Sequence, residues 1–132
     1  MAWKKANPDL ITILEKSLSD FQCDRKFMFG SPTFFVRNNM FAGVHQDTII
    51  MRLSEKDREE LFKLYDEVSL FEPMEGRPMK EYVALPEEIC IQAEILREWL
   101  GRSFTYVSSL PLKEPRRAGK RKKIVEYYAG YL

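Results

Sequence analysis

Lys26-Phe27-Met28-Phe29-Gly30-Ser31-Pro32-Thr33-Phe34-Phe35-Val36-Arg37-Asn38-Asn39-Met40-Phe41-Ala42-Gly43-Val44-His45-Gln46-Asp47-Thr48-Ile49-Ile50-Met51-Arg52 is the stretch that decides the fold. Lys26–Phe29, Thr33–Arg37, Met40–Val44 and Thr48–Arg52 are short runs rich in aromatic and β-branched residues, which suit a pleated, half-buried surface. Gly30-Ser31-Pro32, Asn38-Asn39 and His45-Gln46-Asp47 punctuate them. Asn accepts the positive φ of a two-residue hairpin, so the chain is expected to reverse at Asn38-Asn39. Consecutive strands with no crossover helix between them make an antiparallel meander.

Helical patterns lie on both sides of the meander. Asn7 suits an N-cap, Pro8 the first helical position and Asp9 the positive end of the helix dipole. Leu10, Leu14, Leu18 and Phe21 then share one face, so a helix is expected from Pro8 to about Ser19. After the meander, Ser54 and Asp57 make a capping arrangement, with Leu61, Phe62 and Tyr65 as a buried stripe ending near Val68. Phe71-Glu72-Pro73-Met74-Glu75-Gly76-Arg77-Pro78 reads as a loop, since two prolines and a glycine oppose regular structure. Met79–Leu85 reads as one more strand. Pro86 then opens a third helix with Ile89, Ala93, Leu96 and Leu100 inward and Trp99 on the flank. The order helix, three or four strands, helix, strand, helix is that of a two-layer α+β fold, with an antiparallel sheet and helices mainly on one face.

The 132 residues amount to one domain, and 45% hydrophobic content fills one core. Residues 1–112 are expected to form the α+β domain and residues 113–132 a basic C-terminal segment, with the break at Leu110-Pro111. The net charge of +1 conceals an asymmetry. Residues 1–112 hold 14 Lys+Arg and 18 Asp+Glu, a net of −4, whereas residues 113–132 hold 7 and 2, a net of +5. The last nine residues, Ile124–Leu132, turn apolar again and could dock back as a strand or a helix. No apolar run is long enough to span a membrane and the N-terminus has no secretory pattern, so a cytoplasmic location without membrane partners is expected.

Catalytic chemistry finds little footing. His45 is the only histidine, and in a turn it reads as a solvated polar residue. Cys23 and Cys90 are far apart and belong to no Cys-x-x-Cys pair, which favours two reduced thiols over a disulfide, zinc or redox site. No nucleophile elbow, phosphate loop or dinucleotide fingerprint occurs. No catalytic residue, metal ligand or cofactor site is therefore assigned, and an enzyme is not expected.

Binding has more candidates. Arg52, Arg77 and Lys80 are possible contacts for an anion or partner, with Arg77 expected to pair with an acid of its own domain such as Glu81. Phe34 and Phe35 must point to opposite faces of a strand, so one of them is expected at a surface, under a loop or in a homodimer interface. Lys113, Arg116, Arg117, Lys120, Arg121, Lys122 and Lys123 form a basic cluster that could contact nucleic acid nonspecifically. The alternative is a solubilising tail.

Met28-Phe29-Gly30, Met40-Phe41-Ala42-Gly43-Val44, Arg52-Leu53, Phe71 through Val83 and Leu85-Pro86, in this order across roughly Lys26 to Leu110, resemble the TfoX (Sxy) N-terminal domain family. The resemblance implies a two-layer α+β fold with an antiparallel sheet. It implies a regulatory or adaptor role through macromolecular binding, as in regulators of bacterial competence genes, and it brings no catalytic residues. Full-length TfoX proteins carry a second, helical domain, which is expected to be absent here because only residues 113–132 follow. Asn38-Asn39 stands where relatives commonly have a glycine-containing turn, a departure expected to affect local geometry only.

Overall fold

In a computed structural model, residues 5–28, 30–74 and 76–113 are described, apart from the side chains of Met74 and Arg77. The elements are α1 (Pro8–Ser17), β1 (Asp24–Met28), β2 (Ser31–Val36), β3 (Asn39–His45), β4 (Thr48–Arg52), α2 (Glu55–Leu64), β5 (Ser69–Met74), β6 (Arg77–Pro86), α3 (Glu87–Cys90) and α4 (Ala93–Ser108). The six strands form one sheet in the order β1-β2-β3-β4-β6-β5, antiparallel at every pairing. The expected α+β fold is thus present.

Three local expectations change. Phe71–Pro78 is a β-hairpin rather than a loop, because each proline lies where its strand has a neighbour on one side only. Pro73 is in the edge strand β5, and Pro78 precedes the part of β6 that pairs with β4 (Arg52 opposite Tyr82). A missing N–H costs least at such places. The expected third helix is broken at Ile91-Gln92 into α3 and α4, which leaves Ala93 exposed and buries Trp99. The reversal after β2 sits one residue early, at Arg37-Asn38, with φ of 52° and 64°. Positive φ at both central residues is the hairpin geometry that matches strand twist.

Caps form as the residue types dictate. Asn7 Oδ1 accepts from the Asp9 N–H at 2.9 Å, and Ser54 Oγ accepts from the Asp57 N–H at 3.2 Å. The Asn7 N–H also donates to the Gln46 carbonyl at 2.8 Å, fixing the start of α1 on the β3–β4 turn.

A bulge in β3 distributes the core. Phe34 pairs with Ala42 and Phe35 with Met40, so Phe41 is the extra residue. Phe41 and Ala42 consequently both face the helices, and Met40 and Gly43 face the other way. The main core joins Leu10, Leu14, Leu61, Leu96, Trp99, Leu100 and Val107 to Phe34, Phe41, Ile49, Met51, Val83 and Leu85. Phe41 meets Phe104 edge to face at 5.6 Å, and Ser103 Oγ donates to the Phe41 carbonyl at 3.1 Å. A second cluster, Phe35, Met40, Ile50, Phe71, Met79, Tyr82 and Ala84, lies on the other face of the sheet, and among the described residues no helical one belongs to it.

Candidate functional site

Two regions carry candidate residues, the end of the sheet where β2 turns into β3 and the free edge at β1. At the sheet end, antiparallel pairing brings Arg52 of β4 beside Tyr82 of β6. Arg52 Nε donates to Glu81 Oε1 at 2.6 Å, and its guanidinium carbon lies 5.9 Å from the Tyr82 ring centre. Burial works against the Arg52 charge, but the Glu81 hydrogen bond and charge outweigh it and raise its pKa. Tyr82 is buried and donates its hydroxyl to the Met40 carbonyl at 3.0 Å, and burial pushes its pKa up to about 12. Arg58 from α2 closes the same end by donating to the Leu53 carbonyl at 2.6 Å.

Arg52 is therefore a paired structural cation, and Glu81, expected as a partner for Arg77, is held by Arg52. Lys80 is exposed on β6, one residue from Glu81 and hence on the opposite face. The Arg77 backbone opens β6, and its side chain lies outside the described residues.

The same end holds a clamp. Arg37 Nε donates to the Leu110 carbonyl at 2.9 Å, Asn39 Nδ2 to Pro111 at 3.0 Å and Asn38 Nδ2 to Lys113 at 3.0 Å. The Lys113 N–H returns a bond to the Arg37 carbonyl at 3.1 Å. Asn38 and Asn39 thus do more than set local geometry, because their amides hold the chain that follows α4. The one signal in the sequence was a pair of amides where a glycine turn would have served. Of the basic cluster, Lys113 is placed here, and Arg116, Arg117, Lys120, Arg121, Lys122 and Lys123 lie outside the described residues.

Phe34 and Phe35 do face opposite ways, but both are buried, Phe34 against the helices and Phe35 in the second cluster with Lys26 Nζ 4.7 Å from its ring centre. Neither offers an exposed ring for a dimer. Among the described residues, the exposed aromatic is Phe27 on β1, 64% accessible, with the Arg25 guanidinium carbon 5.3 Å from its ring centre. Asp24, Arg25 and Lys26 are exposed as well. β1 is the last strand of the sheet, paired only with β2 among the described residues.

The groups with chemical potential elsewhere are quiet. His45 is half-buried against Phe71 at 4.9 Å rather than freely solvated, and burial lowers its pKa. Cys23 and Cys90 are free thiols. Cys90 donates to the Leu85 carbonyl at 3.3 Å, and burial raises its pKa to about 12. Arg102 of α4 grips Glu60 and Asp57 of α2 at 3.0 and 3.3 Å and Glu98 at 2.8 Å, while stacking on Trp99 at 4.2 Å. This network, invisible in sequence spacing, joins α2 to α4.

Residues 18–106 match the family model described as the TfoX N-terminal domain. The chain belongs to the TfoX N-terminal domain family. The matched region begins at the end of α1 and stops within α4, so the clamped segment at Leu110–Lys113 lies beyond it. No curated protein and no solved structure matches the chain. Among the described residues, no helix is long and apolar enough to cross a membrane.

Proposed function

We propose that this TfoX N-terminal domain is a non-catalytic regulatory or adaptor domain that acts by binding another macromolecule, foremost a protein, through the free edge at β1. The observation that carries this reading is Phe27, a large apolar side chain left exposed on an edge strand. An edge strand offers a row of backbone donors and acceptors to an added strand, and an exposed aromatic beside it supplies apolar contact. The charged neighbours Asp24, Arg25 and Lys26 disfavour indiscriminate pairing and so add selectivity. Family membership supports a regulatory role, with competence regulation as its specific form. A homodimer would use this same edge, since Phe34 and Phe35 are interior.

A nonspecific nucleic-acid contact is the second reading. It is favoured by Phe27 beside Arg25, a stacking surface next to a cation, and by the clamp that holds Lys113, the first residue of the basic cluster. Affinity capture from the native host with and without nuclease separates the two readings. A protein retained after nuclease supports the first, and loss of all bound material on nuclease treatment supports the second.

A further inference from the structure

Among the described residues the sheet has two edge strands, β1 and β5, and they are protected differently. In β5 the pairing with β6 shifts register between Leu70 and Phe71 and again between Phe71 and Met74, and Pro73 has no N–H. Bulges and proline keep an edge from accepting a further strand. β1 has neither device. Asp24 to Met28 pair with β2 in unbroken register, and Asp24, Arg25, Lys26 and Phe27 are all exposed. Its protection is charge, which repels its like and admits its opposite.

Pro32 decides which backbone groups of β1 are open. Phe27 lies opposite Pro32. Proline has no N–H, so these two residues cannot exchange the paired bonds of an antiparallel ladder, and their backbone groups turn away from each other. Residues two apart in a strand behave alike. The N–H and C=O groups of Arg25 and Phe27 therefore point out from the edge, while those of Lys26 are directed at Thr33.

The side chains divide this edge into two faces. Arg25 and Phe27 share the helix side, where Glu15 of α1 already neutralises Arg25 at 2.6 Å. Lys26 stands on the other face. Its Nζ lies 4.7 Å from the Phe35 ring centre and, among the described residues, forms no ion pair. A second copy of the chain fits this edge poorly. Two copies related by a twofold axis pair antiparallel, and the register that uses all five residues of β1 sets Lys26 opposite Lys26. Like charges directly opposite are destabilising.

We propose that the partner at β1 is an extended segment of another protein, with an acidic side chain opposite Lys26 and apolar ones opposite Arg25 and Phe27. The backbone of that segment bonds to the open groups of Arg25 and Phe27, as in strand addition to a sheet edge. Its acid pairs with Lys26. Its apolar side chains lie on the Phe27 ring and along the Arg25 stem. This inference rests on the binding at β1 proposed above and specifies what binds there.

The probes are two synthetic peptides that alternate valine and threonine around a central glutamate or a central lysine. Each is added to the full chain, and amide hydrogen exchange is followed in β1. Without peptide, the Lys26 N–H should exchange slowly and those of Arg25 and Phe27 rapidly. The glutamate peptide should slow exchange at Arg25 and Phe27. It should also bind about fivefold tighter than the lysine peptide at low salt, because a cross-strand attraction replaces a repulsion. Lys26→Glu should reverse that preference. Protection of these amides by neither peptide overturns the inference, and so does equal binding of both peptides to the parent and Lys26→Glu chains. A host protein captured by the parent, lost on Phe27→Glu and retained on Lys26→Glu would overturn it too, while leaving binding at β1 in place.

Discussion

Asn38 donates from its side-chain amide to the carbonyl of Lys113, 75 positions later, at 3.0 Å. A residue suited by its positive φ to a tight turn thereby also fastens the chain leaving α4. Asn38→Gly separates the two roles, because glycine keeps the turn conformation and loses the amide. We expect a loss of about 1 kcal/mol, the usual worth of one hydrogen bond. We also expect faster hydrogen exchange at the Lys113 N–H. Unchanged exchange there would show that the clamp does not hold in solution.

Arg102 joins α2 to α4 through Asp57 and Glu60, pairs with Glu98 of its own helix and rests on Trp99. Arg102→Lys keeps the charge but cannot reach Glu60 and Glu98 with separate guanidinium nitrogens or stack on the indole as a planar cation. A loss of about 1 kcal/mol is expected, because the group is partly exposed and solvent screens the ion pairs. Thermal unfolding would register this as a Tm lower by a few degrees. A variant as stable as the parent would show the network to be energetically idle.

The two thiols should differ in reactivity. Cys90 is fully buried with its pKa raised to about 12, whereas Cys23 is partly accessible and less perturbed by burial. Since the thiolate is the reactive species, a thiol reagent at pH 8 should modify Cys23 in the native protein and Cys90 only after denaturation. Equal rates for the two would contradict the packing of α3 on the sheet.

Alkaline pH should destabilise the fold. Tyr82 and Cys90 are both raised to about 12, from ordinary values of 10.0 and 9.0. Each is buried neutral, so the folded chain holds these protons more tightly than the unfolded chain does. Their contribution is complete below about pH 9 and is lost as pH rises towards 12. Tm measured from pH 8 to 11 should decline, and Tyr82→Phe should show a shallower decline from a lower starting stability. Parallel curves would exclude Tyr82 as a contributor.

Much of the fold was legible because its signals are local. The Asn7 and Ser54 caps, the short strands of the meander and the apolar stripe of α1 each follow from residue types a few positions apart. The β5–β6 hairpin was hidden because Pro73 and Pro78 read as breakers until the strand order shows that each lies on a one-sided stretch. The bulge at Phe41 was hidden because alternation alone sends Phe41 and Ala42 to opposite faces. Of the site, Arg52 was expected as an anion or partner contact, and its pairing with Glu81, 29 positions away, could not be read from the sequence. The clamp could not, because hydrogen bonds across more than 70 residues leave no spacing to recognise. Phe27 looked like one strand aromatic among several, and only the strand order puts it at an edge.

The basic segment has its own test. If Lys113, Arg116, Arg117, Lys120, Arg121, Lys122 and Lys123 all engage duplex DNA, log affinity should fall against log salt with a slope of roughly −6. A chain ending at Leu112 should then lose both the affinity and the slope. Equal binding by the two chains, or none by either at about 50 mM salt, would leave the segment without a nucleic-acid role.

The central claim is binding through β1, and affinity capture from the native host with the parent chain and with Phe27→Glu tests it most directly. Phe27 is exposed, so the substitution should leave the thermal unfolding curve nearly unchanged. The account predicts a protein partner that survives nuclease treatment on the parent chain and is reduced at least tenfold on Phe27→Glu. Equal recovery of that partner by both chains would contradict it.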